Sequence, residues 1–312
     1  MPFQYADYEY AVAATQLVFM MMGMGATLTL AEFRDIARRP HGVAFVFVMQ
    51  YVGCSLLAMG FAKWFGMSPG IALGLLIVAA MPSGALSNVF TYLGKGNVPL
   101  SITATCASTF GCLFLTPLVL GVIKPEGLPS DFAMPTGRII RDIVLCLLVP
   151  LGIGMSVAHR WPDGRRVFSR WCIRIGLVFL AMLIVGSLTS GRIDVFAYGL
   201  KVPFALVLFC GLLLGPLQIV AYFLLGFSAD NAFTLAIEIA MRNCNVAILV
   251  KASAFPVVVG GSNAIGDGVL FVALFYGGAS LVLGATPILR RRLIDRLQTK
   301  YEDADSEGPI PP

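Results

Sequence analysis

The fold is decided by the stretch LAIEIAMRNCNVAILV, residues 235–250. It is apolar enough to lie in a membrane, yet it holds Glu238 and Arg242 four residues apart, with Asn243 and Asn245 directly after them. A charged side chain at the centre of a bilayer costs roughly 2.5–3.5 kcal/mol on insertion scales, so such residues usually face a cavity, a partner or an ion path. This segment is therefore the strongest indication of where function lies.

The composition indicates a membrane protein. Of 312 residues, 58% are hydrophobic and 12% are charged, and the mean hydropathy is +0.84. A soluble protein of this length needs more polar surface than these residues supply. The chain is therefore expected to lie in a bilayer.

About 20 apolar residues cross the hydrocarbon core as a helix, and nine stretches meet this condition. We therefore predict an all-α polytopic membrane protein with nine transmembrane helices, one membrane domain over residues 1–300 and a disordered cytoplasmic tail over 301–312. The first stretch follows acidic residues and not basic ones, so it is expected to remain as a span and not to be a cleaved signal peptide. The predicted spans lie near 8–30, 42–62, 70–93, 97–123, 137–158, 171–190, 198–226, 231–253 and 264–288.

The basic residues of the loops predict the topology. Most of them follow spans one, three, five and nine, beginning with Arg34, Arg38 and Arg39 and ending with the tail RRRLIDRLQTK, residues 290–300. By the positive-inside rule the C-terminus is cytoplasmic and the N-terminus is outside, in a plasma (inner) membrane. The basic tail is interpreted as an anchor beside anionic lipid of the bilayer and not as a nucleic-acid site.

The residues of enzyme chemistry are poorly placed. The seven cysteines fall in or at the ends of predicted spans without metal-ligand spacing, and His41 and His159 lie at loop edges. An intramembrane enzyme needs a nucleophile with a base, or a metal cluster, at membrane depth. We therefore expect no enzymatic activity and no cofactor.

Two segments interrupt the helical pattern in corresponding places: MPSGALSN at 81–88 and MRNCN at 241–245. Each precedes a span that ends in Thr-Pro, at 116–117 and at 286–287. Paired interrupted helices in two halves of a chain indicate the binding site of a transporter, because the unwound backbone exposes carbonyls and helix ends in mid-membrane. The simpler alternative is that Pro82 kinks one helix and that nearby polar residues bond to a neighbour.

Two pairs of glycines have the spacing of close helix contacts. Gly70 and Gly74 form one pair, and Gly211 and Gly215 form the other. Small residues four apart let two helices approach closely in a membrane. We interpret both pairs as packing features.

The polar residues near the interruptions can form a site for an alkali cation. Such a cation needs several oxygen ligands and partial neutralisation of its charge. Glu238 supplies the charge, and Ser101 and Thr105, four residues apart, share one face of span four. Ser87 and Asn88 add oxygens at the first interruption. These five residues are predicted to bind one sodium ion.

These residues also carry a resemblance to a known family. The segment PSGALSNVFTYLGKGNVPLSITAT at 82–105, with EIAMRN at 238–243 and MGMGATL at 22–28, resembles the bile acid:sodium symporter family over residues 17–290. The resemblance implies sodium-coupled transport of organic anions, with the first sodium on Ser87, Asn88, Ser101, Thr105 and Glu238. It also implies an inverted-repeat core near 42–123 and 198–288 that moves against a panel near 8–30 and 137–190.

The second sodium site of this family is where the chain departs from the pattern. The family uses a glutamine that corresponds to Gln50 and another four residues after the glutamate, where this chain has Arg242. Arginine has five donors and no acceptor, so it cannot coordinate a cation. We predict that its guanidinium fills the second site, paired with Glu238 and donating to the Gln50 carbonyl, so that one sodium is carried.

The substrate is predicted to be a small organic anion, either a bile acid or a small carboxylate. Asn88, Asn243 and Asn245 can donate to it, and Ala85 stands where many relatives have a threonine near the substrate. Lys251, toward the outer end of span eight, is expected to extend to the interface. Three alternatives stay open: Arg242 binds the anion directly, transport is independent of sodium and driven by protons or exchange, or the chain is a sensor that does not transport.

Overall fold

The computed structural model describes residues 8–28, 40–129, 132–189, 198–255 and 263–306. Over these residues the chain is helical and contains no strand. We number eleven helices in chain order: α1 Glu9–Gly25, α2 Pro40–Trp64, α3 Pro69–Ala79, α4 Ala85–Leu93, α5 Val98–Val122, α6 Thr136–Arg160, α7 Arg165–Thr189, α8 Lys201–Phe223, α9 Ala229–Ala240, α10 Cys244–Ala254 and α11 Ala264–Ser306.

Six of the described helices are long and apolar enough to cross a membrane: α2, α5, α6, α7, α8 and α11. The predicted spans three and eight are not continuous helices. Each consists of two short ones, α3 with α4 and α9 with α10, separated by a break. The remaining span, α1, has 17 residues. The chain is thus a helical membrane protein, and the count of nine spans stays a prediction.

The helices pack in two groups. Helices α1, α6 and α7 pack on one another and form the small group. Helix α11 packs on α3, α8 and α10 in the large group, which also contains α2, α4, α5 and α9. The groups meet mainly where α10 lies against α1 and the first turns of α6, and where α5 lies against the same end of α6. Contact between the groups is therefore concentrated at one end of α6.

The glycine pairs behave differently from each other. A Cβ added at Gly70 would lie 2.9 Å from the Cα of Ile265, and one added at Gly74 would lie 2.9 Å from the Cα of Val269. This pair lets α3 pack directly on the backbone of α11, as predicted. Among the described residues no atom lies within 4 Å of such a Cβ at Gly211, so the prediction for the second pair was wrong. For Gly215 the nearest described atom to such a Cβ is the carbonyl oxygen of Gly211 in the same helix, 3.5 Å away.

The prediction for Lys251 was also wrong. Its side chain is fully buried, and its Nζ lies 2.7 and 2.8 Å from the two carboxylate oxygens of Glu9. A lysine extends to the interface when no counter-charge is within reach. Here Glu9, at the start of α1, supplies one from a part of the chain 242 residues away.

The C-terminal helix is longer than predicted. Helix α11 continues to Ser306 and takes in the first six residues of the predicted disordered tail. Its sequence there has no glycine or proline before Gly308, so nothing in it ends the helix at Tyr301. Residues 307–312 lie outside the described residues, as do Arg34, Arg38 and Arg39 of the first basic loop.

Candidate ion and anion site

The two helix breaks cross each other inside the large group. The backbone N–H of Gly84 donates to the carbonyl of Met241 at 2.9 Å, and the N–H of Asn243 donates to the carbonyl of Pro82 at 2.8 Å. These bonds pair Ser83 and Arg242 in antiparallel fashion. Irregular backbone is tolerated at membrane depth only where its polar groups find partners, and here each break supplies partners for the other.

Side chains satisfy three further carbonyls at or beside the breaks. Thr116 donates to Ala80 at 2.6 Å, Tyr276 donates to Ala240 at 2.7 Å, and Ser83 donates to Glu238 at 2.9 Å, in each case to the backbone oxygen. Buried backbone carbonyls need such partners. Sequence reasoning missed the roles of Ser83 and Tyr276 because both depend on contacts between distant segments.

The five residues predicted to bind the first sodium lie together. Ser101 donates to one carboxylate oxygen of Glu238, and Thr105 donates to the other at 2.8 Å. Both hydroxyls also reach the amide oxygen of Asn88, at 2.8 and 3.3 Å. The Ser87 hydroxyl lies 3.3 Å from that of Thr105. The result is a ring of oxygen atoms around a carboxylate.

The local sequence explains how this ring forms. Ser87 and Asn88 lie in the first turn of α4, which begins immediately after the break, and Glu238 lies in the last turn of α9, just before the other break. Ser101 and Thr105, one helical turn apart, present their hydroxyls from the same face of α5. Glu238 is fully buried. Oxygen atoms around one negative charge are the ligands that hard cations prefer.

Arg242 does not pair with Glu238, contrary to the prediction. Its Nη1 donates to the Met81 carbonyl at 3.2 Å, and the Nε2 of Gln50 donates to the same carbonyl at 2.7 Å. The predicted bond to the Gln50 carbonyl is absent too, since no described residue donates to the Oε1 of Gln50. Residues four apart face each other only on a continuous helix. Helix α9 ends at Ala240, so the break turns Arg242 away from the carboxylate.

The surroundings of Arg242 are buried and rich in helix ends. The side chain is 5% exposed, and its Nε and Nη2 have no hydrogen-bond partner among the described protein groups. Gln50 lies in a π-helical turn of α2, Val48–Gly53. Such turns often occur at functional sites. The two residues predicted to lie at a second sodium site are thus directed at one carbonyl.

The residues predicted to contact substrate also lie at the breaks. Asn243 is buried, and the Oδ1 of its side chain accepts no hydrogen bond from the part of the chain that the structure describes. Ala85, Asn88 and Asn245 are half-buried. Helices α4 and α10 both begin here, so both direct backbone N–H groups toward the crossing point. A helix N-terminus favours negative charge.

Interrupted helices that meet in mid-membrane at polar side chains are the arrangement that secondary transporters use. The fold and the site together place this chain in that class.

A family comparison then identifies the family. The model of the sodium bile acid symporter family matches residues 14–198. The chain belongs to this family, and the resemblance seen in its motifs is confirmed. Proteins of this family are membrane transporters, so the predicted class is confirmed as well.

Individual relatives show the same relationship. A probable sodium/metabolite cotransporter of rice (BASS2, chloroplastic) is 30% identical over 86% of this chain and 62% of its own length. An uncharacterized sodium-dependent transporter of Bacillus subtilis, YocS, is 31% identical over 73% of this chain and 69% of its own length. The human hepatic sodium/bile acid cotransporter is 28% identical over 83% and 78%, respectively. The chain spans less than two thirds of the rice protein.

Proposed function

We propose that this protein is a sodium-coupled symporter of a small organic anion, carrying one sodium ion per cycle. The relatives are named as sodium/metabolite and sodium/bile acid cotransporters, and their function is extended to this chain on the strength of the site. The single observation that carries the proposal is the ring of oxygen atoms from Ser87, Asn88, Ser101 and Thr105 around the Glu238 carboxylate.

The surroundings of Glu238 favour a cation. It is fully buried and accepts hydrogen bonds from two hydroxyls, but it forms no ion pair with any described residue. A buried carboxylate without a counter-charge is costly. Sodium at this point would receive oxygens from three helices and cancel the charge.

Arg242 takes the place of the second sodium in this proposal. It and Gln50 converge on the Met81 carbonyl, and a guanidinium bears one positive charge that no relevant pH removes. A tethered charge at this point cannot leave with the substrate. Transport therefore moves one sodium, and not two, through this protein.

The anion is proposed to bind where the two breaks cross. Asn88 and Asn245 are half-buried there, and the N-termini of α4 and α10 provide a favourable potential. A carboxylate of small size suits a site formed by amides and backbone N–H groups. An anion bound beside the ring of oxygen atoms around Glu238 would couple its own binding to that of sodium.

Alternating access is proposed to arise from the two packing groups. Helices α1, α6 and α7 correspond to the panel, and the remaining helices correspond to the core, with the N-terminus outside and the C-terminus in the cytoplasm. Contact between the groups is concentrated at one end. The groups can therefore rock against each other around the crossing breaks, as related transporters do.

The runner-up is an anion transporter that is independent of sodium. The same observation favours it, because a buried carboxylate without a counter-charge can take up a proton instead of a cation. The two hypotheses, sodium-coupled and sodium-independent transport, differ in one respect: a proton-coupled carrier binds no sodium at Glu238.

The deciding experiment is the thermal stability of the detergent-purified protein, titrated with sodium and, at the same ionic strength, with potassium. A ligand that binds only the folded state stabilises it by about 2.7 kcal/mol at 100 times its Kd. We expect a rise in Tm with sodium alone, with a Hill coefficient of one. A coefficient clearly above one contradicts the proposed role of Arg242.

The matched variant is Arg242→Gln, which restores the residue that the family has at this position. We expect it to show a second sodium in the same titration. If sodium raises the Tm of Arg242→Gln but not that of wild type, Arg242 has replaced sodium altogether. Transport is then independent of sodium.

A further inference from the structure

A cluster of buried polar side chains joins the two helix groups away from the ion site. It consists of Glu9 and Tyr10 of α1, Asp142 of α6, and Lys251 and Ser253 of α10, and we call it the latch cluster. Lys251 contacts both carboxylate oxygens of Glu9, at 2.7 and 2.8 Å, and these two side chains are 0% and 2% exposed. The ion pair therefore connects α1 directly to α10.

Asp142 makes the second connection. Ser253 donates to one of its carboxylate oxygens, and the Tyr10 hydroxyl donates to the other at 3.0 Å. Asp142 is 3% exposed. Three helices, two from the small group and one from the large group, are thus joined by charged or charge-assisted bonds in a dry environment, where such bonds are strongest.

The cluster lies on one side of the crossing breaks. Helix α10 begins at the break with Cys244, and Lys251 follows seven residues later, so it lies about 10.5 Å along the helix at 1.5 Å per residue. The corresponding helix on the other side, α4, has no such connection to the small group among the described residues. Its Val89 and Tyr92 are 47% and 71% exposed.

The small group shows the same asymmetry. The first turns of α6 contact α10 and α5, while Val149 and Ile153, in its second half, are each 45% exposed. The two groups are therefore closed together at the end that holds the latch cluster and apart at the other. By the predicted topology the closed end faces outside.

We propose that the latch cluster is the outer gate of the transporter, and that the Glu9–Lys251 ion pair holds the outer side shut until the cycle opens it. The inference rests on the proposed alternating access. Separating the groups at this end would strand two opposite charges unless water enters, so the pair favours the state that is open to the cytoplasm. Opening is possible because both charges are hydrated once water reaches them.

The gate can be tested with a thiol reporter. Ala247, fully buried and one turn before Lys251 on the same face of α10, is replaced by cysteine in the full chain. Intact cells are treated with a membrane-impermeant thiol reagent, which reaches Ala247→Cys only when the outer side opens. The same chain without the reporter gives the background from the native cysteines, six of which are buried and one half-buried.

The latch is removed by the pair Glu9→Gln and Lys251→Met, which leaves no stranded charge. We expect labelling of the reporter to become about tenfold faster, as for a change of about 1.4 kcal/mol in the opening equilibrium. The charge-reversed pair, Glu9→Lys with Lys251→Glu, should label as slowly as the native chain. Arg141→Gln, which removes an exposed partner of Asp142, should also leave the rate unchanged.

Two results would overturn the gate. One is equally slow labelling in the latch-free chain, once its elution profile and Tm show that it is folded. The other is rapid labelling of the reporter in the native background. The labelling assay needs neither sodium nor an anion. If the protein shows no sodium response but the latch-free chain labels faster, the proposed function is wrong and the proposed gate is supported. If the sodium response is as expected but the latch-free chain labels no faster than the native chain, only the proposed gate is wrong.

Discussion

Helices α4 and α10 begin alike and end in opposite surroundings. Each starts at a break, and each has an asparagine within its first turns, Asn88 and Asn245. In α10 every residue from Val246 to Ser253 is buried, whereas in α4 only Ser87 and Thr91 are buried. The two helices therefore have corresponding positions in the fold and different partners.

The difference is not one of composition. Leu86 and Val89 of α4 are apolar, as Val246 and Leu249 of α10 are, but they are 46% and 47% exposed while the two residues of α10 are buried. What α10 has in addition is the contact with α1 and α6, fixed by Lys251 and Ser253. The burial of α10 and the exposure of α4 therefore depend on how the two helix groups are arranged and not on how hydrophobic each helix is. Under the proposed alternating access, a chain open to the outside would bury α4 and expose α10.

The largest effect is expected from Lys251→Met, because this change removes the ammonium group that neutralises the buried Glu9 carboxylate. Removing one member of a buried ion pair typically destabilises a protein by about 3–5 kcal/mol. We expect a clear fall in Tm in detergent.

The double variant with Glu9→Gln should recover most of that loss, since neither charge then remains. If Lys251→Met and the double variant unfold at the same temperature, the ion pair does not hold α10 in place, and its burial needs another cause.

The next largest effect concerns the ion site at the base of α4. Glu238→Gln keeps the size of the side chain and removes its charge, so the sodium-specific stabilisation of about 2.7 kcal/mol at 100 times Kd should disappear. The measurement is the same sodium titration of thermal stability.

Asp230→Asn is the matched control, because Asp230 lies on the same helix with its side chain 62% exposed and pairs with Arg291 at the surface. Its sodium response should equal that of wild type. A response that survives in Glu238→Gln would mean that sodium binds elsewhere.

A smaller effect separates the two glycine pairs. Gly74→Ala places a methyl group 2.9 Å from Val269, where α3 packs on α11 and positions the break before α4. Overpacking of this kind costs about 1–3 kcal/mol. Gly211→Ala meets no described atom within 4 Å and should be neutral or slightly stabilising in a helix. Equal unfolding temperatures for the two variants would contradict the close packing of α3.

The general fold could be predicted because it depends on local patterns. Apolar stretches define the helices, and MPSGALSN and MRNCN mark where two of them break. The partners of the breaks and the ion pair between the two helix groups could not be predicted, since Tyr276 and Ala240 are 36 residues apart and Glu9 and Lys251 are 242 apart. Nothing in the local sequence around these residues indicates their contacts.

The predicted pairing of Arg242 failed for a related reason. The rule that residues four apart meet holds on an intact helix. The same segment was also predicted to be broken, and a break after Ala240 removes the geometry on which the rule depends. The oxygen ligands of Glu238, by contrast, lie together because Ser101 and Thr105 are on an uninterrupted helix, α5. Spacing thus placed the two hydroxyls of α5 correctly, and it failed for Arg242 because the helix breaks after Ala240. It also failed for Gly211 and Gly215 on α8, because spacing alone does not say which face of a helix meets a neighbour.

The last comparison concerns the two Thr-Pro sites, which look equivalent in the sequence and include the smallest expected change, at Thr286. Thr116 donates to the Ala80 carbonyl at the first break, 2.6 Å away, while Thr286 donates to Leu283 in its own helix and is exposed. Thr116→Val leaves that buried carbonyl without its partner and should lower the free energy of unfolding by about 1–3 kcal/mol, at the low end of this range if water replaces the hydroxyl. Thr286→Val removes only a local bond and should change stability by no more than about 0.5 kcal/mol.

Tyr276→Phe removes the donor to the Ala240 carbonyl at the second break. Its loss of stability should therefore resemble that of Thr116→Val. If it resembles Thr286→Val instead, the two breaks are not supported alike, and the difference between α4 and α10 begins at the breaks themselves and not at the latch cluster.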